Sequence, residues 1–237
     1  MEDIWPPLPI VVYGFDYITL NADTIVAALE HKDRVHQIKL DRCPSFLFQQ
    51  VSPVIQKPFP VLTDLSLGFN SGMVPIVPDS FLGGSAPGLR SLSLKGIPFP
   101  FPGLRKLLLS AADLVEVRLW RIPYEEYISP WEIATCLSAL TRLEEFHLGF
   151  GFDDRRLLDD DSRLPPPPTR YALPALTSLK IEVAIDYLED LISRIETPIR
   201  EHLSMVFSPQ LRLDTLQLTK FIDRTPKLKP IHINIHL

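Results

Sequence analysis

The segment that comes nearest to a catalytic motif is residues 83–87, with the sequence GGSAP. It approaches the nucleophile elbow G-x-S-x-G, in which a strained turn exposes a serine for attack on an acyl group. Its last position is Pro87 instead of glycine, and no histidine and aspartate can be assigned triad roles around Ser85. We therefore interpret the segment as a glycine- and proline-rich turn.

Two histidines near the end of the chain and an acidic run at 159–161 are the candidates for a metal site. If 231–237 is a strand, His232 and His236 share a face, but their backbones lie about 13 Å apart at ~3.3 Å per residue. A zinc ion with bonds of about 2 Å does not easily bridge that gap. No Walker loop, dinucleotide fingerprint or HExxH motif occurs. We expect no enzyme activity, metal or cofactor.

The composition argues against two classes of partner. The net charge is −5, whereas a nucleic-acid-binding domain usually carries a basic patch. No apolar run approaches the ~20 residues of a membrane span, and residues 1–7 lack the basic start of a signal peptide. The two cysteines, Cys43 and Cys136, form no C-x-x-C pair, which favours a reducing compartment. We expect a cytoplasmic or nuclear protein that binds neither nucleic acid nor membrane.

A repeated leucine pattern indicates which elements would position a binding surface. Its template is L-x-x-L-x-L, with a small or apolar residue three places later. Clear copies begin at Val35, Leu62, Leu89, Leu114, Leu143 and Leu176, and weaker ones lie near Ile10, Leu203 and Leu228. The clear copies are 27, 27, 25, 29 and 33 residues apart. Leucine-rich repeats of roughly 20–29 residues have this spacing.

Each copy of the repeat predicts a strand followed by a helix. The leucines alternate with polar residues, which is the period of a strand with one buried face. Helix-like stretches lie at 22–31, 129–140, 185–195 and 213–222. At Ser129, a capping box is combined with proline at the first helical position. We predict an α/β leucine-rich-repeat solenoid of about eight irregular repeats, with parallel strands on the concave face and helices on the convex face.

The domain prediction is a single leucine-rich-repeat domain over 1–237, with a flexible acidic and proline-rich insertion at 152–171. Charge blocks and four consecutive prolines in this insertion cannot bury a core. Residues 165–170, PPPPTR, also match a P-x-x-P-x-R ligand of SH3-type domains, although a stiff spacer is the simpler interpretation. At the end of the chain, the alternating strand 231–237 has nothing after it to cover it. We expect that the chain is a fragment at its C-terminal end and that it self-associates through this edge.

Several side chains have predicted positions within the repeat. Leu92 and Leu94 should lie in the inner leucine ladder. Cys43 and Asn70 stand where leucine-rich repeats place Cys or Asn, and should turn inward to satisfy the backbone after the strand. Cys136 lies on an apolar helix stripe and should be a core residue.

The residues between the leucines point away from the core and form the predicted partner-binding face, because side chains alternate across a strand. The candidates are Lys39, Asp64, Ser91, Ser93, Glu116, Arg118, Trp120, Glu145, His147, Lys180 and Glu182. A tryptophan beside an arginine, as at Trp120 and Arg118, is typical of an interface hot spot. The alternative is that Trp120 packs under the loop of Tyr124 as local core.

Runs spread over nearly the whole chain carry a family resemblance. They are residues 78–87, 89–92, 107–111, 127–130, 136–144, 165–170, 173–177 and 221–227. These runs resemble a fungal family of F-box-associated leucine-rich-repeat proteins. In that family, an F-box upstream of the repeats docks onto a cullin-based ubiquitin ligase, and the repeats would hold the substrate.

The resemblance implies a protein–protein interaction module, the substrate-recognition repeat region of an F-box-type ubiquitin ligase receptor. Its partners would be an unidentified protein substrate and a cullin-ligase adaptor reached through the F-box. Residues 5–10, WPPLPI, already resemble the start of the repeats, so we expect the F-box to be missing from this chain. Arg200 also stands where the repeat has an apolar residue. The alternative is a stand-alone protein-binding scaffold with no ligase link.

Overall fold

The computed structural model describes residues 8–14, 21–69, 76–123, 126–151, 170–197, 202–207, 216–224 and 231–235. They form an α/β fold in which helices connect parallel strands. The chain divides into two compact units, Met1–Asp113 and Leu114–Leu237.

The described part of the first unit contains four strands that are neighbours in chain order. They are β1 (Ile10–Gly14), β2 (Val35–Leu40), β3 (Asp64–Gly68) and β4 (Ser91–Lys95). The helices are α1 (Ala22–Glu30), α2 (Ser45–Ile55) and α3 (Phe101–Ser110), and α1 packs against α2. Parallel strands need a crossover connection, which α1 and α2 supply.

The described part of the second unit repeats this arrangement. Its strands include β5 (Glu116–Ile122), β6 (Glu145–Phe150), β7 (Tyr171–Ala172), β8 (Ser178–Glu182), β9 (Ile195–Glu196), β10 (His202–Phe207) and β11 (Ile231–Ile235). The order β5-β6-β8-β10-β11 is parallel, and β7 pairs separately with β9. Helices α4 (Pro130–Ser138), α5 (Ile185–Arg194) and α6 (Leu216–Asp223) pack side by side in that order.

The leucine positions of the repeat form buried rows across the strands. In the first unit, the two rows are Ile38, Leu65, Leu92 and Leu40, Leu67, Leu94. In the second unit, they are Val117, Phe146, Leu179, Leu203 and Leu119, Leu148, Ile181, Met205. All of these side chains are at most 5% exposed. The predicted core position of Leu92 and Leu94 is confirmed.

Helix α1 begins behind Asn21, whose side chain accepts from the backbone N–H groups of Asp23 and Thr24. Helix α4 carries the predicted capping box of Ser129 and Glu132, and α5 also lies where the pattern placed it.

The sequence pattern does not predict two further helices, α2 and α3, because each contains a proline, which usually interrupts a helix. Pro53 lies near the C-terminal end of α2, and Pro102 lies in the first turn of α3, where no backbone donor is needed.

The predicted insertion at 152–171 extends too far at its end. Tyr171 opens β7 and pairs with Ile195, and Nε of Arg170 donates to the carbonyl oxygen of Ser193 at 3.2 Å. These bonds fix the two residues to the end of α5. Residues 152–169, Asn70, Arg200 and His236 lie outside the described residues, as does the side chain of His232.

Candidate binding surface

In the first unit, the four predicted site residues lie on the sheet face opposite the leucine rows. Asp64 pairs with Ser91 across β3 and β4, while Lys39 on β2 and Ser93 on β4 both pair with Ser66. Nε2 of Gln37 donates to Oδ2 of Asp64 at 3.2 Å. This part of the face is polar, with short side chains on β3 and at Ser91 and Ser93 on β4.

Sequence reasoning did not single out two exposed residues on β1. Val11 and Tyr13 are 56% and 65% exposed and pair with Gln37 and Lys39. The sequence carries no signal for them, because residues 10–13 are all apolar or aromatic and the alternation of buried and exposed positions appears only in the structure.

In the second unit, the structure brings the remaining seven predicted residues together, and we call them the charged cluster. They are Glu116, Arg118, Trp120, Glu145, His147, Lys180 and Glu182. The strand register aligns them in rows. Glu116 is opposite Glu145, and His147 lies between Arg118 and Lys180. These residues are distant in sequence and become neighbours only because the strands are parallel and in register.

A β-bulge aims the Trp120 side chain across the sheet. Leu119 pairs with Leu148 and Ile122 with Phe150, so two residues of β5 face the single Gly149 of β6. Arg121, the second bulged residue, has a φ of 53°, in the left-handed region. A bulge of this kind bends the strand and redirects a side chain.

Gly149 provides the space that the tryptophan occupies. A Cβ at this position would lie 3.2 Å from Cδ1 of Trp120 and 3.2 Å from Cβ of Glu182. The indole therefore lies over bare backbone, next to Glu182 on the following strand. Sequence reasoning missed Gly149, although a glycine at an outward strand position after His147 is a readable signal of close approach.

The Trp120 side chain is partly covered by its neighbours and partly exposed to solvent. Its ring centre lies 5.7 Å from that of His147, with a tilt of 30°, and Nζ of Lys180 lies 5.9 Å from the indole centre. The residue is still 36% exposed. It packs toward β6 and β8, and Tyr124 lies outside the described residues.

The charges of the cluster are arranged in local pairs. Nη2 of Arg118 contacts carboxylates of both Glu116 and Glu145, the latter at 3.3 Å. Nζ of Lys180 lies 2.6 Å from Oε1 of Glu182. The side chains of Arg118 and Glu145 are about half exposed, at 51% and 52%.

His147 is the enclosed member of the cluster. Its Nε2 is shielded from solvent and makes no hydrogen bond within the described part of the chain, and it lies 3.6 Å from Oε1 of Glu182. Burial and, next, the Lys180 ammonium lower the pKa of His147 from 6.5 to about 4, against the opposing effect of Glu182. The imidazole is therefore neutral at pH 7.

Within the described ranges, the other candidate chemistry does not assemble into a site. Ser85 follows a tight turn at Phe81–Gly84 and is exposed. Cys43 and Cys136 are buried, and burial raises the pKa of the Cys43 thiol to about 12, with Asp41 adding to the shift. Among the described residues, no group of three or more His, Cys, Asp and Glu side chains could hold a metal ion. In the same ranges, no helix has both the length and the apolar character to cross a membrane.

Comparison with known proteins adds no relative. No family model matches the chain, and no curated protein matches it either.

Proposed function

We propose that this chain is a protein-binding module and that the charged cluster is its partner-binding surface. The observation that carries the proposal is the setting of Trp120. The indole is 36% exposed, is aimed by a bulge over Gly149 and is surrounded by ion-paired side chains. Aromatic residues with an arginine and a polar rim are the usual composition of protein-interface hot spots.

The proposal includes a specific form of the α/β fold, a leucine-rich-repeat solenoid with its strands on the concave face. Strand–helix steps of 25–33 residues and the buried leucine rows within each unit support it. Solenoids of this class bind partners on the surface formed by their stacked strands. The charged cluster lies on outward positions of three such strands, β5, β6 and β8.

We further propose that the module is the substrate-recognition repeat region of an F-box-type ubiquitin ligase receptor in the cytoplasm or nucleus. The support is the family resemblance of the sequence runs at 78–92, 136–144 and 221–227. In this proposal, the protein substrate binds the charged cluster, and a cullin-ligase adaptor is recruited through an upstream F-box.

The experiment is affinity capture from a fungal lysate followed by mass spectrometry, with the wild-type chain and the variants Trp120→Ala and Arg118→Ala. We expect both variants to lose the partner while their melting temperatures stay within a few degrees of wild type. Truncation of hot-spot residues costs about 2 kcal/mol or more of binding free energy.

Trp131→Ala is the matched control, because Trp131 is 45% exposed on α4 and lies outside the charged cluster. Its capture should equal that of wild type. Partner capture that survives both Trp120→Ala and Arg118→Ala would show that the cluster is not the site. Unfolding of Trp120→Ala would assign the residue to the core. Capture of a protein without the cullin adaptor, even when an F-box encoded upstream of Met1 is restored, would identify a stand-alone scaffold.

A further inference from the structure

The charged cluster carries more negative than positive charge. Its three glutamates outnumber its two cations, since His147 is neutral at pH 7. Glu145 is 52% exposed, and its carboxylate contacts an Arg118 nitrogen that also contacts Glu116. The same guanidinium therefore lies against two carboxylates. The whole chain is also acidic, with a net charge of −5.

The Trp120 ring already contacts a cation within the folded chain. Nζ of Lys180 lies 5.9 Å from the indole centre and 2.6 Å from Oε1 of Glu182. An aromatic face beside a carboxylate is the chemistry that holds ammonium and guanidinium groups. The Lys180 side chain is 39% exposed, and surface ion pairs of this kind contribute little to stability, so an incoming cation can displace it.

We propose that the charged cluster binds a basic segment of its protein partner, with an arginine or lysine side chain of that segment against the Trp120 ring and beside Glu182. This inference rests on the proposed function and names the chemistry of the partner. Glu145, two rows away on the same face of the sheet, faces a second basic residue. An acidic segment would meet three carboxylates and would compete with them for Arg118 and Lys180.

The test is a library of random peptides displayed on phage, selected on the full-length wild-type chain and counter-selected on Trp120→Ala. We expect the retained peptides to be enriched in arginine and lysine. Enrichment of acidic or neutral peptides that depend on Trp120 overturns this inference while supporting the proposed function. A selection that yields no Trp120-dependent peptide contradicts both.

Variants of three other cluster residues then show whether the partner is basic or acidic, and they do not require Trp120→Ala to fold. With one retained peptide, Lys180→Ala should bind about 2- to 5-fold more tightly, because the internal cation no longer competes for the ring. Glu182→Gln and Glu145→Gln should each bind several-fold more weakly. The control Lys220→Ala, an exposed lysine of α6, should match wild type. Weaker binding by Lys180→Ala overturns the proposal, since it would mean that Lys180 itself contacts the partner.

Discussion

At the scale of single residues, the geometry of the proposed binding surface involves one glycine and one bulge. Trp120 has room to cross β6 only because Gly149 has no Cβ, and the two-residue bulge turns the indole toward that gap. The same indole covers His147. Two consequences of this packing can be measured separately.

Replacing Gly149 with alanine should displace Trp120. The new Cβ would lie 3.2 Å from Trp120 Cδ1, and the half-exposed indole can move outward to relieve the contact. We expect a shift in tryptophan fluorescence and several-fold weaker partner binding, with a loss in unfolding free energy of about 1 kcal/mol.

Gly151→Ala is the matched control for this change. Its Cβ would have Ile122 O as its nearest neighbour at 3.6 Å, which is ordinary contact. The control should keep both the fluorescence and the binding of wild type. Equal binding by the two alanine variants would show that the position of the indole does not matter for the partner.

His147 should make the protein less stable in mild acid. Its pKa is about 4 in the folded chain and near 6.5 in the unfolded chain, so the unfolded state binds more protons between these values. The contribution is complete above pH 6.5 and is lost as the pH falls toward 4. This contribution of His147 to the free energy of unfolding is on the order of 1–2 kcal/mol. It is smaller than the pKa difference alone would give, because solvent screens the interactions of the imidazole.

The measurement is urea unfolding of wild type and His147→Gln from pH 7 to pH 4. The groups around the imidazole, namely Arg118, Lys180 and Glu182, stay in place in the variant. We expect the stability of the variant to fall less steeply with acidification than that of wild type. Parallel curves for the two proteins would mean that His147 is not buried in its neutral form.

At the scale of elements, side-chain alternation along a strand places the residues that stabilise the fold on one face of the sheet and the residues of the proposed binding surface on the other. Leu92 and Ser93 are adjacent on β4, but Leu92 is 0% exposed whereas Ser93 lies on the polar face. Leu92→Ala should cost about 2–5 kcal/mol because it leaves a cavity in the leucine row. Ser93→Ala should change the unfolding free energy by less than about 0.5 kcal/mol. Chemical denaturation measures both, and equal losses would mean that the strand register is wrong.

The helices differ in whether the residues that cap their first turn lie nearby in the sequence. Asn21 and Ser129 cap α1 and α4 from within their own segments, so the sequence predicts these starts. The start of α6 has a different origin. Both oxygens of Glu189, on α5, accept backbone N–H groups of Gln217 and Leu218 at 2.7 and 2.9 Å. The capping side chain is 28 residues away from the helix that it stabilises, and only packing of α5 against α6 reveals it.

At the scale of the whole molecule, net charge should govern the rate of association. The chain carries −5, so a basic partner is attracted over a distance of about 10 Å at 0.1 M salt. We expect the association rate constant of a retained basic peptide to fall several-fold between roughly 50 and 500 mM salt. Stopped-flow tryptophan fluorescence measures it.

The double variant Glu145→Gln/Glu182→Gln removes two carboxylates of the cluster and should show a shallower salt dependence. Rate constants that rise with salt would indicate like-charge repulsion, and therefore an acidic partner.

The sequence by itself determines the strands of the leucine repeat and their buried faces. Six clear copies of one leucine pattern set a period-2 alternation, and the structure confirms a strand at every one, including β2, β4 and β8. Alternation is a local property of extended backbone, so residue order is sufficient to predict which side chains are buried. The outward residues followed from the same rule.

Only the tertiary structure decides how those outward residues meet. Aligning the leucines of the repeat already gives the register that places Arg118 beside His147 and His147 beside Lys180, whereas the contacts among these side chains depend on the tertiary structure. The shift at Trp120 arises from a bulge of one extra residue, which leaves no clear trace in the leucine spacing. The indole that follows the bulge lies 5.7 Å from the His147 ring, centre to centre. The sequence therefore determines the face, whereas contacts between strands determine the chemistry of the site.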